Sequence, residues 1–319
     1  MLSRRFLRIK VLQELYAYRQ TGETDLAMGE RQLLTGIDKL YELFIWQVSF
    51  WVEVRRFAEF RLEENKLKHL PTEEDLNPNM RFVNNRVLRV LDENMSFLRL
   101  EESYGINWAD HRNGLIRNFY YKLREMPEYK LYMSSEDDSF ETDKQFILSV
   151  IDTYQSEDEI LLDFFSDYNI FFNTDYQLSV LLLWKFINEM KKSFSVASPM
   201  PAMFKTENGG LNDDKDFVIR LFRKTILNGA QYDELISSGI SNWEYDRIAL
   251  MDVLILKMAL TEFFEFPSIP VKVTINEYIE VSKFYSTPDS KRFINGLLDK
   301  MSIRLKEEGK IVKRGRGLM

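Results

Sequence analysis

Apolar residues recur at intervals of three and four along most of this chain, and few residues interrupt the pattern. Only 13 glycines and 8 prolines occur among 319 residues, and the alternation of apolar and polar residues that is typical of strands is almost absent. Breaks fall at residues 70–79, 134–143 and 195–214, where proline, glycine or acidic residues cluster. We therefore predict an all-α fold in which these segments separate blocks of helices.

The best defined helix signals begin near residue 241. Ser241 and Glu244 have the spacing of a capping box, which predicts that a helix begins there. Apolar residues cover so much of the circumference of this helix that we expect it to be central and buried on most sides. Its few polar residues, Asp252, Lys257 and Glu262, are therefore informative about its surroundings.

Two further helices are predicted to follow. Residues 274–277 repeat the capping-box spacing and predict a helix that runs to about Tyr285. Thr287 followed by Pro288 is the pattern of an N-cap and a first helical residue, and it predicts a third helix. Within this third helix, Gly296 lowers helix propensity, and we expect it to permit a close crossing with another helix.

Composition restricts the chemistry that the chain can perform. The absence of cysteine excludes disulfides, thiolate metal sites and cysteine nucleophiles. The two histidines, His69 and His111, stand alone among polar or turn residues, and no phosphate-binding loop, nucleophile elbow or metal-ligand spacing is present. We therefore predict that the chain is not an enzyme and needs neither a cofactor nor a metal.

The hydrophobic runs favour a cytoplasmic location. The first residues place Arg4, Arg5, Arg8 and Lys10 among apolar residues, which is unlike a signal peptide. The longest apolar runs fall well below the ~20 residues that a membrane-spanning helix needs. We expect a cytoplasmic protein with no membrane partner.

Charge is distributed unevenly along the chain. Residues 1–20 carry a net charge of +4 and residues 300–319 carry +5, although the whole chain carries −7. If the two ends meet in the folded protein, they form a basic patch on an acidic body. Such a patch is typical of a local RNA-binding site.

Four segments near the C-terminus, together with the first helix, resemble a known family. Arg4 and Arg5 precede VLQELY at 11–16, and the later segments are WEYDRI at 243–248, ILKMALTEF at 255–263, IPVKVTINEYIEVSKF at 269–284 and SKRFINGLLDK at 290–300. In order and spacing these residues resemble the NusB family of transcription antitermination proteins. The resemblance covers residues 1–20 and 211–319, which we expect to form the NusB-like core, and residues 21–210 are predicted to be a helical insertion of unknown role.

The resemblance implies a function as well as a fold. It implies NusB-like helical bundles that bind BoxA-type single-stranded RNA together with NusE, a ribosomal protein of the small subunit. The complex would join the RNA polymerase elongation complex with other Nus factors and suppress termination, notably in ribosomal RNA operons. The expected function is thus transcription antitermination and not catalysis.

Several residues are candidates for these contacts. The RNA-binding candidates are Arg4, Arg5, Arg8, Tyr16, Asp289, Lys291, Arg292 and Phe293, and the candidates for contact with NusE are Asp252 and Glu262. Alternatives stay open for several of them. Tyr16 and Phe293 are as compatible with core packing as with stacking on a base, and Asp289 is also explained by the dipole at a helix start. Asp252 is also compatible with an internal salt bridge to Arg247 or Lys257.

A second hypothesis assigns the function to residues 21–210. The aromatic residues Phe44, Trp46, Phe50 and Trp51 form a dense group in this region. Such a group is compatible either with a core or with a surface for another protein. In the second case the chain would be a helical scaffold for protein interactions.

Overall fold

The structure, a computed structural model, describes residues 3–204, 213–240 and 248–314. These residues form α-helices joined by turns and irregular segments, with a π-helical turn at Arg112–Ile116 and a 3-10 turn at Gln155–Glu157. The helices are α1 (Arg4–Thr21), α2 (Leu26–Lys66), α3 (Glu73–Leu76), α4 (Arg86–Asp92), α5 (Met95–Ser103), α6 (Arg117–Glu125), α7 (Pro127–Ser134), α8 (Phe140–Thr153), α9 (Glu159–Tyr168), α10 (Ile170–Glu189), α11 (Asp213–Leu227), α12 (Gly229–Gly239), α13 (Leu250–Glu265), α14 (Val271–Tyr285) and α15 (Pro288–Glu307). No strand occurs in the described ranges, and the predicted all-α fold is confirmed.

The chain divides into two compact units. Unit 1 comprises Met1–Ile37 and Met203–Met319, and unit 2 comprises Asp38–Ala202. Unit 1 is therefore built from two separate stretches of sequence. The boundary at Ile37 falls inside α2, so this helix contributes residues to both units. Within the described parts of the chain, no helix is both long enough and apolar enough to span a membrane.

Helix α13 is the central element of unit 1. It packs against α1, α11, α12, α14 and α15, and every residue from 252 to 263 is buried. The predicted central position is confirmed. The predicted start at Ser241 lies outside the described residues, and within them α13 begins at Leu250.

The starts of α14 and α15 test two sequence predictions. The predicted start of α14 was wrong, because the helix begins at Val271 directly after Pro270, and Thr274 lies within its first turn. The predicted end at about Tyr285 is confirmed. The prediction for α15 is confirmed. Thr287 is the N-cap, its side chain accepts a hydrogen bond from the Ser290 amide, and Pro288 is the first helical residue.

One close helix approach in unit 1 involves Gly239 rather than Gly296. A methyl group added at Gly239 would lie 2.8 Å from Leu297 Cδ1, whereas one added at Gly296 would meet no atom within 4 Å. The expectation of a close crossing at Gly296 was therefore wrong. Glycine at position 239 is what lets α12 approach α15.

The core of unit 2 is organised around the apolar part of α2. The four aromatic residues noted in the sequence, Phe44, Trp46, Phe50 and Trp51, are at most 3% exposed. Trp51 also donates a hydrogen bond of 2.8 Å to Gln155. This aromatic group is therefore a core, and it does not offer the surface that the scaffold hypothesis requires.

Candidate nucleic-acid interface

The first turn of α1 carries two arginines that lie against carboxylates of other helices. Arg4 Nε lies 3.1 Å from Asp214 Oδ1, and its guanidinium stacks on the Phe217 ring. Arg5 Nε and Nη2 lie 3.2 and 2.9 Å from the two carboxylate oxygens of Glu277. About two fifths of each arginine side chain stays exposed, 41% for Arg4 and 40% for Arg5. Each guanidinium has more donors than these contacts use, so both can also meet a phosphate.

Arg8, one turn further along α1, is buried. Its Nε and Nη2 atoms lie 2.6 and 3.0 Å from the carboxylate of Glu262 on α13, and the two side chains are only 4% and 0% exposed. Tyr278 and Thr274 of α14 donate further hydrogen bonds to the same carboxylate, at 2.8 and 3.2 Å. This buried network joins α1, α13 and α14.

The buried network corrects two candidate roles. With a side chain that is 4% exposed, Arg8 does not present its guanidinium to RNA. Glu262, at 0% exposure, does not present its carboxylate to a protein partner. Burial lowers the pKa of Arg8, but the charge and hydrogen bonds of Glu262 outweigh it and raise that pKa above its ordinary value. Both residues hold the helices together.

Asp252, the other candidate for a protein contact, is also buried. It is 4% exposed, and its carboxylate accepts a hydrogen bond from the Ser286 hydroxyl in the turn between α14 and α15. Lys257 forms an ion pair of 2.7 Å with Asp233 of α12, and Arg247 lies outside the described residues. Asp252 therefore holds the turn between α14 and α15 in place, and its carboxylate is not accessible at the rim of a protein interface.

The start of α15 presents Asp289, Lys291 and Arg292 at the surface, where all three are exposed. Phe293, the next residue, is half-buried. Glu280 of α14 lies close enough to both α1 and α15 to be affected by their charges. Its hydrogen bond with Lys283 lowers its pKa most, and the charges of Arg5 and Lys291 lower that pKa further. The charged starts of α1 and α15 are thus both near α14.

Aromatic side chains lie further along α1 and at the end of α14. Gln13 of α1 donates a hydrogen bond of 3.0 Å to the Tyr285 hydroxyl at the end of α14. Tyr16, one turn beyond Gln13, is 40% exposed. Phe284 is 55% exposed, and no sequence pattern marked it as a site residue, because an apolar residue inside a helix usually belongs to the core. Both rings can stack on unpaired bases.

The basic C-terminal segment packs on α13 as far as the structure describes it. Lys313 donates hydrogen bonds of 2.8 and 2.9 Å to the backbone carbonyls of Glu262 and Phe266. These carbonyls belong to the C-terminal end of α13, where a cation is favourable. Burial lowers the pKa of Lys313 to about 8, against the opposing effect of Glu262. Lys313 thus acts within the fold.

An apolar cavity lies beside the C-terminal part of α1 and was also missed. It has a volume of about 320 Å³, and its walls include Leu15, Tyr18, Ile226 and Leu254. Leu227, the last residue of α11, is 65% exposed. No sequence pattern predicts this cavity, since it depends on how α1, α11 and α13 pack.

Part of the chain is similar in sequence to a family of known proteins. The model of the NusB family matches residues 178–302. A protein of Dictyoglomus turgidum named transcription antitermination protein NusB is 40% identical over 101 residues, which are 30% of this chain and 69% of the relative. The chain belongs to the NusB family.

Two other NusB relatives are similar over almost the same length. The transcription antitermination protein NusB of Salinibacter ruber is 43% identical over 105 residues, and that of Chloroherpeton thalassium is 38% identical over 105 residues. The matched part is 33% of this chain in both cases, and it spans 66% and 50% of the two relatives. The NusB similarity therefore covers about a third of the chain, and the NusB family model extends from α10 into α15.

Proposed function

We propose that the chain is a transcription antitermination factor that binds BoxA-type single-stranded RNA together with NusE. In this proposal the complex joins RNA polymerase with other Nus factors, chiefly on ribosomal RNA operons. The observation that carries the proposal is that α14 packs against both α1, whose Arg4 and Arg5 are partly exposed, and α15, whose Lys291 and Arg292 are exposed.

Each part of this interface has a distinct role in the proposal. The arginines and Lys291 contact phosphates, which fixes the position of the RNA without reading its sequence. Tyr16 and Phe284 stack on unpaired bases, and Phe293 contributes the edge of its half-buried ring. Asp289 accepts hydrogen bonds from base edges or, in the absence of RNA, stabilises the start of α15. The buried pair of Arg8 and Glu262 holds α1 against α13 and so keeps the exposed residues of α1 in position.

The contact with NusE needs a different surface from the one expected, because Asp252 and Glu262 are buried. We place it at the apolar cavity beside α1, together with the exposed side chain of Leu227. Apolar side chains that fill pockets usually dominate the affinity of protein interfaces. No catalytic role is included in the proposal.

The test is a binding measurement with labelled RNA in the presence and absence of NusE. We expect fluorescence anisotropy to show that NusE strengthens binding to BoxA-type RNA more than to an RNA of scrambled sequence. The double variant Arg4→Gln/Arg5→Gln should weaken binding, whereas Arg99→Gln, an exposed arginine on α5, should not. Negligible binding with and without NusE would contradict the proposed function.

A further inference from the structure

Unit 2 contains a cavity of about 680 Å³ that the NusB-like function does not use. It lies between α2 on one side and α6 and α7 on the other, and the segment that includes α3 forms a further wall. A cavity of this size is large enough for a small organic ligand.

The segment around α3 is held in place by several polar contacts. Thr72 and Asp75 form a reciprocal capping box at the start of α3, and Lys68 lies 2.9 Å from Asp75. Asn79 donates a hydrogen bond of 3.0 Å to the backbone carbonyl of Met133 on α7. The walls of the cavity are therefore fastened to each other.

Four aromatic rings form a continuous wall. Phe82 lies 6.4 Å from Tyr120 and 5.7 Å from Tyr129, measured between ring centroids, and Tyr120 lies 5.7 Å from Tyr121. Phe82, Tyr120 and Tyr129 are buried, whereas Tyr121 is 36% exposed. A planar ring that enters the cavity can therefore contact aromatic faces that are already in place.

Cationic groups lie next to this aromatic wall. The Arg124 guanidinium stands 5.9 Å from the centre of the Tyr120 ring. Arg61 pairs with Glu64 through Nη1, but its buried Nε has no hydrogen-bond partner among the described residues. Lys130 adds a third cation, which pairs with Glu125 at 2.9 Å. A buried donor without a partner is unusual, because its desolvation is not compensated.

The remaining polar groups of the cavity complement a base and a sugar. Asn65 and Asn77 offer amides of the kind that bind base edges, and Glu74 offers a carboxylate that can accept from a hydroxyl group. Asp75 is already engaged by Lys68 and Thr72, and these contacts keep its pKa low. The cavity thus combines aromatic faces, guanidinium groups, amides and an acceptor.

We propose that this cavity binds a nucleotide, whose base lies against the tyrosine wall and whose phosphate lies between Arg61 and Arg124. The nucleotide can be free in solution or part of an RNA strand, since both present the same base and phosphate. Neither source requires the interface on unit 1. The cavity is tested by Arg61→Gln/Arg124→Gln and the unit 1 interface by Arg4→Gln/Arg5→Gln, so the two proposals can fail independently.

Calorimetric titration of the full chain tests the proposal, with AMP, GMP, CMP and UMP as separate probes. At least one nucleotide should bind with one-to-one stoichiometry, and its nucleoside and inorganic phosphate should each bind at least tenfold more weakly. Arg61→Gln/Arg124→Gln should weaken nucleotide binding at least tenfold, and the matched Arg99→Gln should not change it. Tyr121→Ala should reduce binding without loss of fold, because that ring is 36% exposed.

An RNA pentamer distinguishes the two sources of the ligand. If only the pentamer binds, and Arg61→Gln/Arg124→Gln abolishes that binding in a background of Arg4→Gln/Arg5→Gln, the ligand is a nucleotide of an RNA strand. No binding of any nucleotide or of the pentamer to the cavity would overturn the proposal. Binding that is unchanged in the cavity variant would overturn it as well, whatever the result for the unit 1 interface. Circular dichroism and thermal unfolding check that each variant is folded.

Discussion

Arg8 and Glu262 form a buried ion pair between residues 254 positions apart in the chain. The pair links the first helix of unit 1 to its central helix, and Tyr278 and Thr274 complete the hydrogen bonding of the carboxylate. A charged pair at this depth is strongly destabilising when one partner is removed, because the other charge stays buried without compensation.

Removal of the buried carboxylate should therefore reduce stability sharply. We expect Glu262→Ala to lower the free energy of unfolding by about 3–5 kcal/mol, measured by urea denaturation. Glu280→Gln provides the control, because Glu280 forms a partly exposed ion pair with Lys283 within α14. Its effect should be within about 1 kcal/mol. Equal effects of the two variants would contradict a special role for the buried pair.

Charge changes at the proposed RNA interface should have opposite effects on affinity according to their sign. Arg5→Gln removes a phosphate contact and should reduce the salt dependence of binding by about 0.7 in the slope of log K against log salt. Glu280→Gln removes a negative charge from a carboxylate whose pKa is lowered in part by the charges of Arg5 and Lys291. It should strengthen RNA binding two- to fivefold at low salt, as measured by anisotropy. Weaker binding in Glu280→Gln would refute the proposed position of the phosphates.

Glu14 should make unit 1 less stable as the pH rises. Its Oε1 atom is buried without a hydrogen-bond partner among the described residues, and burial, partly opposed by Lys10, raises its pKa to about 7. The folded state therefore holds this proton more tightly than the unfolded chain does. The stabilisation is present at low pH and is lost as the pH rises from the ordinary glutamate range through about 7.

Replacement of this carboxyl by an amide should remove that dependence. Glu14→Gln should increase the free energy of unfolding at pH 8 by about 1–2 kcal/mol and have little effect near pH 5. Denaturation curves between these pH values measure the difference. Glu234→Gln, at an exposed position on α12, is the matched control and should leave the pH profile unchanged. If the stability of Glu14→Gln fell with pH in parallel with that of the parent chain, the pH dependence would not come from Glu14.

Two glycines of unit 1 should respond to alanine in opposite directions. Gly239→Ala places a methyl group 2.8 Å from Leu297 Cδ1, and should lower stability by about 1–3 kcal/mol. Gly296→Ala lies in open space on α15, and should raise stability by about 0.5–1 kcal/mol through helix propensity. Thermal unfolding of the two variants checks both signs.

The apolar cavity beside α1 should matter for NusE but not for unit 1 itself. Leu227→Asp should weaken NusE binding at least tenfold in a calorimetric titration, because Leu227 is 65% exposed and directly follows Ile226, which lines the cavity. Ile303→Asp is a matched control, at 59% exposure on α15. If both variants bind NusE like the parent chain, the partner surface lies elsewhere.

The sequence predicts local features of this fold well. The start of α15 follows from Thr287 and Pro288, because N-cap chemistry involves only neighbouring residues. The burial of α13 follows from its apolar circumference. Thr274 does not begin α14 as its capping-box spacing predicts, and its hydroxyl instead donates a hydrogen bond to Glu262 of another helix. A capping-box spacing does not reveal such a distant partner.

The roles of charged residues were harder to predict. Arg8 shares its helix face with Leu12 and Leu15, four and seven residues further on, and this spacing is the signal that places it towards the core. Arg4 and Arg5 stay partly exposed because they lie at the start of the helix. The residue type alone does not separate these cases. The cavities of both units were unpredictable from sequence, since each depends on three or more helices meeting.

The separation of Arg8 from Glu262 also has a consequence for synthesis. At a translation rate of ~5–20 residues per second, the guanidinium emerges from the ribosome on the order of ten to fifty seconds before its carboxylate partner. During that interval the apolar face of α1 has no complete core to join, while the residues of unit 2 are made. Unit 1 can therefore close only after α13 and α14 have been made, when they pack against a helix that was synthesised tens of seconds earlier.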